Sequence, residues 1–205
     1  MRMRFKAWAE PYLKENEHLI LTSFDDLNHS FQKVHFEIGA GKGDFLVESA
    51  LFSPNDLFIG IEISKIAAAI TLKKIIEKEL KNVYLFVGDV EDFFLNCSKN
   101  VCDYLYLNFP DPWPKARHEK RRLTSLKKLH AYYDLLKEDG ELLFKTDNYD
   151  LYMYSLETFN LSQFIIKDHG EHFLKDESVP QSAYEKKFRH LGQTIYFLKA
   201  RRKVK

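Results

Sequence analysis

From Val34 onward, short apolar runs alternate with longer stretches of helical spacing, and that alternation leaves few folds open. The runs are Val34–Ile38, Leu57–Ile63, Val83–Val87, Tyr104–Phe109 and Glu141–Lys145, as a set rich in β-branched or aromatic residues. Between them, Asp44–Leu51, Lys65–Leu80, Val90–Leu95 and Leu123–Leu136 carry apolar residues at helical spacing. Another helix follows Tyr149 to about Phe159, and two more strand candidates come after it, Ser162–Lys167 and Thr194–Ala200. Strands that alternate with helices predict a doubly wound α/β fold: a mostly parallel sheet of about seven strands with helices on both faces. Asp139-Gly140 reads as a helix stop ahead of the fifth strand.

At 205 residues the chain is sized for one domain, with residues 34–200 as its core and 1–30 as an N-terminal extension. In that extension Trp8–Leu13 suits a short helix and Asn28-His29-Ser30 a loop. The opening Met-Arg-Met-Arg-Phe-Lys lacks the apolar stretch of a signal peptide, and no run approaches the ~20 apolar residues that span a bilayer. Cys97 and Cys102 match no metal or redox spacing. These features predict a cytoplasmic protein with free thiols, no metal and no membrane segment. Monomer and homodimer both stay open. With 31 basic and 30 acidic side chains the chain is no polycation, so a nucleic-acid surface has to come from charge gathered on one face.

The first run leads into Glu37-Ile38-Gly39-Ala40-Gly41-Lys42-Gly43-Asp44. Glycines at alternate positions permit a tight turn and close approach of a ligand to the backbone. A dinucleotide fingerprint needs G-x-G-x-x-G, but Asp44 stands where the third glycine is due. Asp44 and Glu37 are awkward beside a pyrophosphate, which favours positive potential. They are acceptable beside a cofactor carrying a sulfonium and an ammonium. Glu62, 19 residues beyond Gly43, falls near the offset at which an acid meets ribose hydroxyls. Asp89, after the third run, is placed to accept a hydrogen bond from an exocyclic amine such as that of adenine. Ligands of open α/β sheets bind beyond the carboxyl ends of the strands, where Glu37, Glu62 and Asp89 gather. A nicotinamide-dinucleotide enzyme remains the alternative at this point.

The pattern resembles the class I S-adenosylmethionine-dependent methyltransferases, with their Rossmann-like fold. The resemblance covers about Val34 to Ala200 and implies S-adenosyl-L-methionine as cofactor. It implies that the loop of Gly39, Gly41 and Gly43 packs under the methionine part, that Glu62 holds the ribose and that Asp89 faces the adenine. Glu37 would support the loop or the methionine end.

The fourth run continues into Asn108-Phe109-Pro110-Asp111-Pro112-Trp113-Pro114-Lys115. Three prolines in five residues stiffen this loop, because each fixes φ and excludes helix. A stiff loop at the carboxyl edge of a sheet suits a reaction that needs tight alignment. A carboxylate there has a use if the nucleophile is a ring nitrogen such as guanine N7, which already has a lone pair. Positive charge then moves onto the purine, and a nearby anion stabilises it. Asp111 is therefore the candidate catalytic residue, as an electrostatic and orienting group and not as a general base. Lys115, Arg117, Lys120, Arg121 and Arg122 put five cations in eight residues directly behind it, with His118 among them. Beside such a loop they read as RNA-phosphate contacts. Further basic residues at Arg2, Arg4, 186–190 and 199–205 would extend one positive face.

The segment from Asn108 to Lys115, with Arg117-His118 and Lys120-Arg121-Arg122, resembles the signature of bacterial tRNA (guanine-N7-)-methyltransferases. Lys145-Thr146-Asp147-Asn148 and Ser182-Ala183-Tyr184-Glu185 match two further elements of that family, with Ser182 where the family has threonine. The resemblance implies methyl transfer to N7 of the variable-loop guanine of tRNA. It places Glu37, Glu62, Asp89 and Asp111 in the cofactor site. It places Lys115 and Asp147 in the substrate site, together with Ser182, Tyr184 and Glu185 of an element spanning residues 180–190. Asp147 or Glu185 is suited to accept hydrogen bonds from the guanine N1–H and N2 amine. Two other readings stay open on the residues alone: methylation of another RNA or a small molecule, and a non-catalytic RNA-binding protein.

Overall fold

The computed structural model describes residues 5–171, 180 and 183–203 and, for residues 183 and 184, the backbone alone. The chain forms two compact units, the first running to Ser98 and the second starting at Lys99.

The first unit contains α1 (Ala9–Glu15), β1 (Val34–Ile38), α2 (Asp44–Phe52), β2 (Leu57–Glu62), α3 (Lys65–Glu77), β3 (Val83–Val87) and α4 (Val90–Leu95). β1 pairs in parallel with β2, Val34 opposite Leu57, and β2 in parallel with β3, Phe58 opposite Val83. Every residue of β1 and β2 is buried. That is why both read as continuous apolar runs and not as alternating ones. The short helix expected near Trp8 is α1. It packs Ala9 and Leu13 against Ala68, Leu72 and Ile75 of α3, in a core shared with Leu46 and Val47 of α2.

The second unit contains β4 (Cys102–Asn108), α5 (Leu126–Leu135), β5 (Leu136–Thr146), α6 (Tyr149–Asn160), β6 (Phe164–Gly170), α7 (Ala183–His190) and β7 (Tyr196–Arg202). β4 and β5 are parallel, while β7 runs antiparallel to both β5 and β6. Leu105, Leu107, Leu142, Phe144 and Leu198 are fully buried on these strands. The sheet order is β3-β2-β1-β4-β5-β7-β6, a mostly parallel seven-stranded, Rossmann-like arrangement.

One expectation needs correction. Asp139-Gly140 does not stop a helix, because α5 already ends at Leu135 and both residues lie inside β5. Cys102 faces Leu136 but Tyr104 faces Glu141, so the extra residues bulge out of the ladder and leave Glu138 and Asp139 exposed. Gly140 closes the bulge. A Cβ there would sit 3.0 Å from the Lys137 carbonyl oxygen and 3.1 Å from that of Cys102, tight contacts that would require the backbone to give by a few tenths of an ångström. A glycine after an acid marks a bulge as readily as a helix end.

Candidate active site

In the first unit the glycine loop has the backbone its residues demand. Gly39, Gly41 and Gly43 have φ of 75°, 59° and 71°, a region costly for any residue with a Cβ. The Gly39 amide donates to the Ile61 carbonyl at 2.8 Å and ties the loop to the end of β2. Glu62 adds a second tie: one carboxylate oxygen accepts from the Gly41 amide and the other from the Ser64 amide, both at 2.8 Å. Hydrogen bonds to a charged acceptor are worth roughly 1.5–3 kcal/mol each. A carboxylate oxygen accepts more than one hydrogen bond, so this tie is compatible with a ribose hydroxyl as well. Helix α3 holds the loop from its other side. The Thr71 hydroxyl donates to the Gly41 carbonyl at 3.1 Å, and Lys74 Nζ donates to the Lys42 carbonyl at 2.8 Å.

Lys74 also pairs with Asp44 at 2.5 Å. The charge of Asp44 is thus matched within the protein, and repulsion of a pyrophosphate falls to Glu37 and Glu62. Glu37 is buried in β1 opposite Gly60. Asp89 is exposed and caps α4, its carboxylate accepting from the Glu91 amide at 2.8 Å. A cavity of about 570 Å³ opens beside the loop, lined by Gly41, Glu62, Ser64–Ala67 and the N-terminal residues Phe5–Ala7, Ala9 and Glu10. That volume suits a cofactor-sized ligand. The chemistry also suits S-adenosylmethionine: a carboxylate in the wall and a Gly41 whose Cβ position is open, with only the Gly39 carbonyl near at 3.9 Å.

In the second unit β4 delivers the proline loop. Phe109 and Trp113 bracket Pro110-Asp111-Pro112 with φ of 50° and 43°, left-handed values for bulky residues, costing of order 1–3 kcal/mol each. The loop is held in that shape from outside. The Phe109 amide donates to the Lys145 carbonyl at 2.8 Å, and its ring stacks on Phe188 of α7. The Arg122 guanidinium donates to the carbonyls of Pro112 and Trp113. Asp111 itself is exposed.

The basic run forms a 3₁₀ segment, Ala116–Arg121, that leaves Lys115, Arg117, Lys120 and Arg121 exposed. Arg121 lies over the Trp113 ring at 4.9 Å, and His118 meets that ring edge-on at 5.6 Å. Asp147 follows β5 and is exposed. Glu185 is not: it is 1% exposed. One of its oxygens accepts from Lys145 Nζ at 2.9 Å and the other from Arg189 at 2.8 and 3.1 Å. Ser182, Arg2, Arg4 and residues 204–205 lie outside the described residues, as does the side chain of Tyr184. Among the described residues no cluster of His, Cys, Asp or Glu is placed to hold a metal ion, and no helix is long and apolar enough to cross a membrane.

A family model described as "Putative methyltransferase" matches residues 31–198. A curated tRNA (guanine-N(7)-)-methyltransferase of Oceanobacillus iheyensis is 38% identical, covering 98% of this chain and 98% of that relative. One of Streptococcus mutans is 36% identical over 98% of this chain and all of that relative. The chain belongs to the tRNA (guanine-N(7)-)-methyltransferase family. Among solved structures, an antibiotic-related methyltransferase matches with a TM-score of 0.63 at 22% identity over 90% of this chain and 99% of its own. The 16S rRNA methyltransferase KamB matches with a TM-score of 0.65 at 11% identity over 88% and 93%. These two likenesses concern the fold.

For this member of the tRNA (guanine-N(7)-)-methyltransferase family, sequence reasoning singled out the acids and missed the residues that hold them. Lys145 stands in a quoted motif, but nothing local marks it as the partner of Glu185. Arg189 sits four residues after Glu185, a pairing that becomes readable only once the segment is known to be a helix. Thr71 and Lys74 carry no signal in the sequence, because they reach the glycine loop across 30 and 32 residues.

Proposed function

We propose that this chain transfers a methyl group from S-adenosyl-L-methionine to N7 of a guanine in tRNA, and that the target is the variable-loop guanine. The near-full-length similarity at 38% identity to a tRNA (guanine-N(7)-)-methyltransferase carries the reading. When bound, the cofactor supplies an electrophilic methyl group on a sulfonium. Glu37, Gly39, Gly41, Gly43, Glu62 and Asp89 hold it, with Glu62 at the ribose and Asp89 at the adenine. The first unit contributes binding and orientation.

The second unit contributes the guanine side. N7 attacks through its own lone pair, so no proton leaves and no general base is required. Asp111 is the catalytic carboxylate: exposed on a rigid loop, it orients the transfer and stabilises the positive charge that grows on the purine. Asp147 accepts from the guanine N1–H and N2 amine. Glu185, held as it is by Lys145 and Arg189, fixes α7, and Ser182 and Tyr184 serve the substrate side. Lys115, Arg117, His118, Lys120 and Arg121 contact tRNA phosphates. The enzyme works in the cytoplasm as one methyltransferase domain.

Mass-spectrometric mapping of nucleosides in tRNA incubated with the protein and S-adenosylmethionine tests this. 7-Methylguanosine is expected at a variable-loop position. Its absence from tRNA, with label appearing in ribosomal RNA or in small metabolites, would overturn the reading.

A further inference from the structure

Arg122 ends the basic run behind Asp111, and by sequence it is one more phosphate contact. Its side chain points its donors elsewhere. Nε donates to the carbonyls of Pro112 at 3.2 Å and Trp113 at 3.3 Å, and Nη2 donates to the Trp113 carbonyl at 3.2 Å. The guanidinium carbon, Cζ, lies over the Tyr154 ring, 4.2 Å from its centroid. The Tyr154 hydroxyl donates to Glu119 at 3.0 Å, which anchors the stack in turn.

The loop has reason to need such a grip. Pro110, Pro112 and Pro114 have no amide hydrogen, so three of its residues cannot donate a backbone hydrogen bond to stabilise it. Phe109 and Trp113 hold left-handed backbone, a conformation that persists where surrounding structure over-determines it. A guanidinium presents several donors in one plane while its face rests on an aromatic ring, and an ammonium cannot reproduce that geometry.

The geometry assigns Arg122 as a positioning residue that sets the placement of Asp111 by holding the carbonyls of the two residues that follow it. The assignment rests on the reading of Asp111 as the catalytic carboxylate. A misplacement of about 1 Å costs on the order of 100-fold in rate for reactions that depend on alignment. The signature of Arg122 is therefore turnover and not tRNA affinity.

The test uses the full chain, tRNA and S-adenosylmethionine. Arg122→Ala is expected to lower kcat about 10- to 100-fold. Cofactor binding by calorimetry, which also reports folding, stays within about twofold, as do the Kd for tRNA and the slope of its logarithm against salt. Arg122→Lys keeps the charge and is expected to recover less than half of the lost turnover. Millimolar guanidinium ion is expected to restore part of the kcat of Arg122→Ala and none of that of Arg122→Lys, where the lysine fills the space. In an Asp111→Asn background, adding Arg122→Ala is expected to slow turnover no further. A salt slope lowered by about one with kcat unchanged would make Arg122 a phosphate contact and overturn the proposal. Full recovery by lysine would overturn it too. So would losses that multiply in the double variant, which would place the effect of Arg122 away from Asp111. Asp111→Asn alone separates the two ideas: wild-type turnover there overturns the catalytic reading of Asp111 whatever Arg122→Ala does.

Discussion

Lys145 Nζ donates to the Glu185 carboxylate at 2.9 Å, and the two side chains are 1% and 2% exposed. This pair fastens α7 to β5. Removing one member of a buried pair leaves the other charge short of a partner, typically at 3–5 kcal/mol. Arg189 still reaches Glu185 after Lys145→Met, so the expected loss lies at the low end, about 3 kcal/mol. Denaturant unfolding of Lys145→Met, and of the double variant with Glu185→Gln, checks this. The double variant is expected to regain stability; a midpoint unchanged in the single variant would show that the pair holds nothing.

Glu62 collects the amides of Gly41 and Ser64 on its two oxygens. In Glu62→Gln one oxygen becomes an NH₂, a donor facing a donor. The expected result is about 1–3 kcal/mol less stability and cofactor binding weakened roughly tenfold, since 1.4 kcal/mol is a factor of ten. Calorimetry with S-adenosylmethionine and a thermal melt read the two effects separately.

Gly43 is the tightest position of the loop. A Cβ there would come within 2.2 Å of the Thr71 γ-methyl, and φ is +71°. Gly43→Ala is expected to cost at least about 2 kcal/mol from backbone strain and the clash together. Thr71→Ser in the same chain removes the methyl and is expected to recover part of it. Recovery of the whole loss would mean that the left-handed backbone carries no cost.

Asp111→Ala is expected to abolish turnover nearly completely while the unfolding midpoint stays within error, because the side chain is exposed. Lys115→Ala and Arg121→Ala are expected instead to weaken tRNA binding, each lowering the salt slope by about one. Filter binding at several salt concentrations distinguishes these outcomes.

Alkaline pH should destabilise the fold. Burial, with the Asp25 carboxylate adding to it, pushes the Cys97 thiol up to about 12. Burial and the hydrogen bond to Glu119 push the Tyr154 phenol up to about 12 as well. Both groups bind their protons more tightly folded than unfolded. Their contribution is therefore complete below the unfolded values, near 9 and 10, and is lost as pH rises towards 12. Unfolding midpoints measured from pH 8 to 11 are expected to fall. Alkylation of Cys97 at pH 9 is expected to be on the order of 100-fold or more slower in the folded chain than in the unfolded one, since the thiolate is what reacts.

The architecture was legible because its signals are short-range. β1 and β2 are buried along their whole length, and such strands must read as apolar runs. The glycine turn follows from local backbone chemistry; the cap that Asp89 makes on α4 was not read, though it is equally local. Asp139-Gly140 misled because a bulge in a ladder and the end of a helix use the same residues. Helix α7 went unread as a helix. Its segment, Ala-Tyr-Glu-Lys-Lys-Phe-Arg-His, has little apolar periodicity, and among its described side chains the buried one is a glutamate.

By itself, then, the sequence determined the strand–helix alternation, the left-handed glycine loop, and which acid follows which strand. Each depends on the sterics or polarity of a few consecutive residues. The tertiary structure decided which charges are engaged within the protein. Asp44 is matched by Lys74 across 30 residues and Glu185 by Lys145 across 40, while Arg122 grips the loop that carries Asp111. An ion pair or a grip on a carbonyl depends on distance and on exclusion of water, and both are set where separate elements pack together. A glutamate that is sealed against a lysine and an aspartate left open beside a strand are the same kind of letter in the chain.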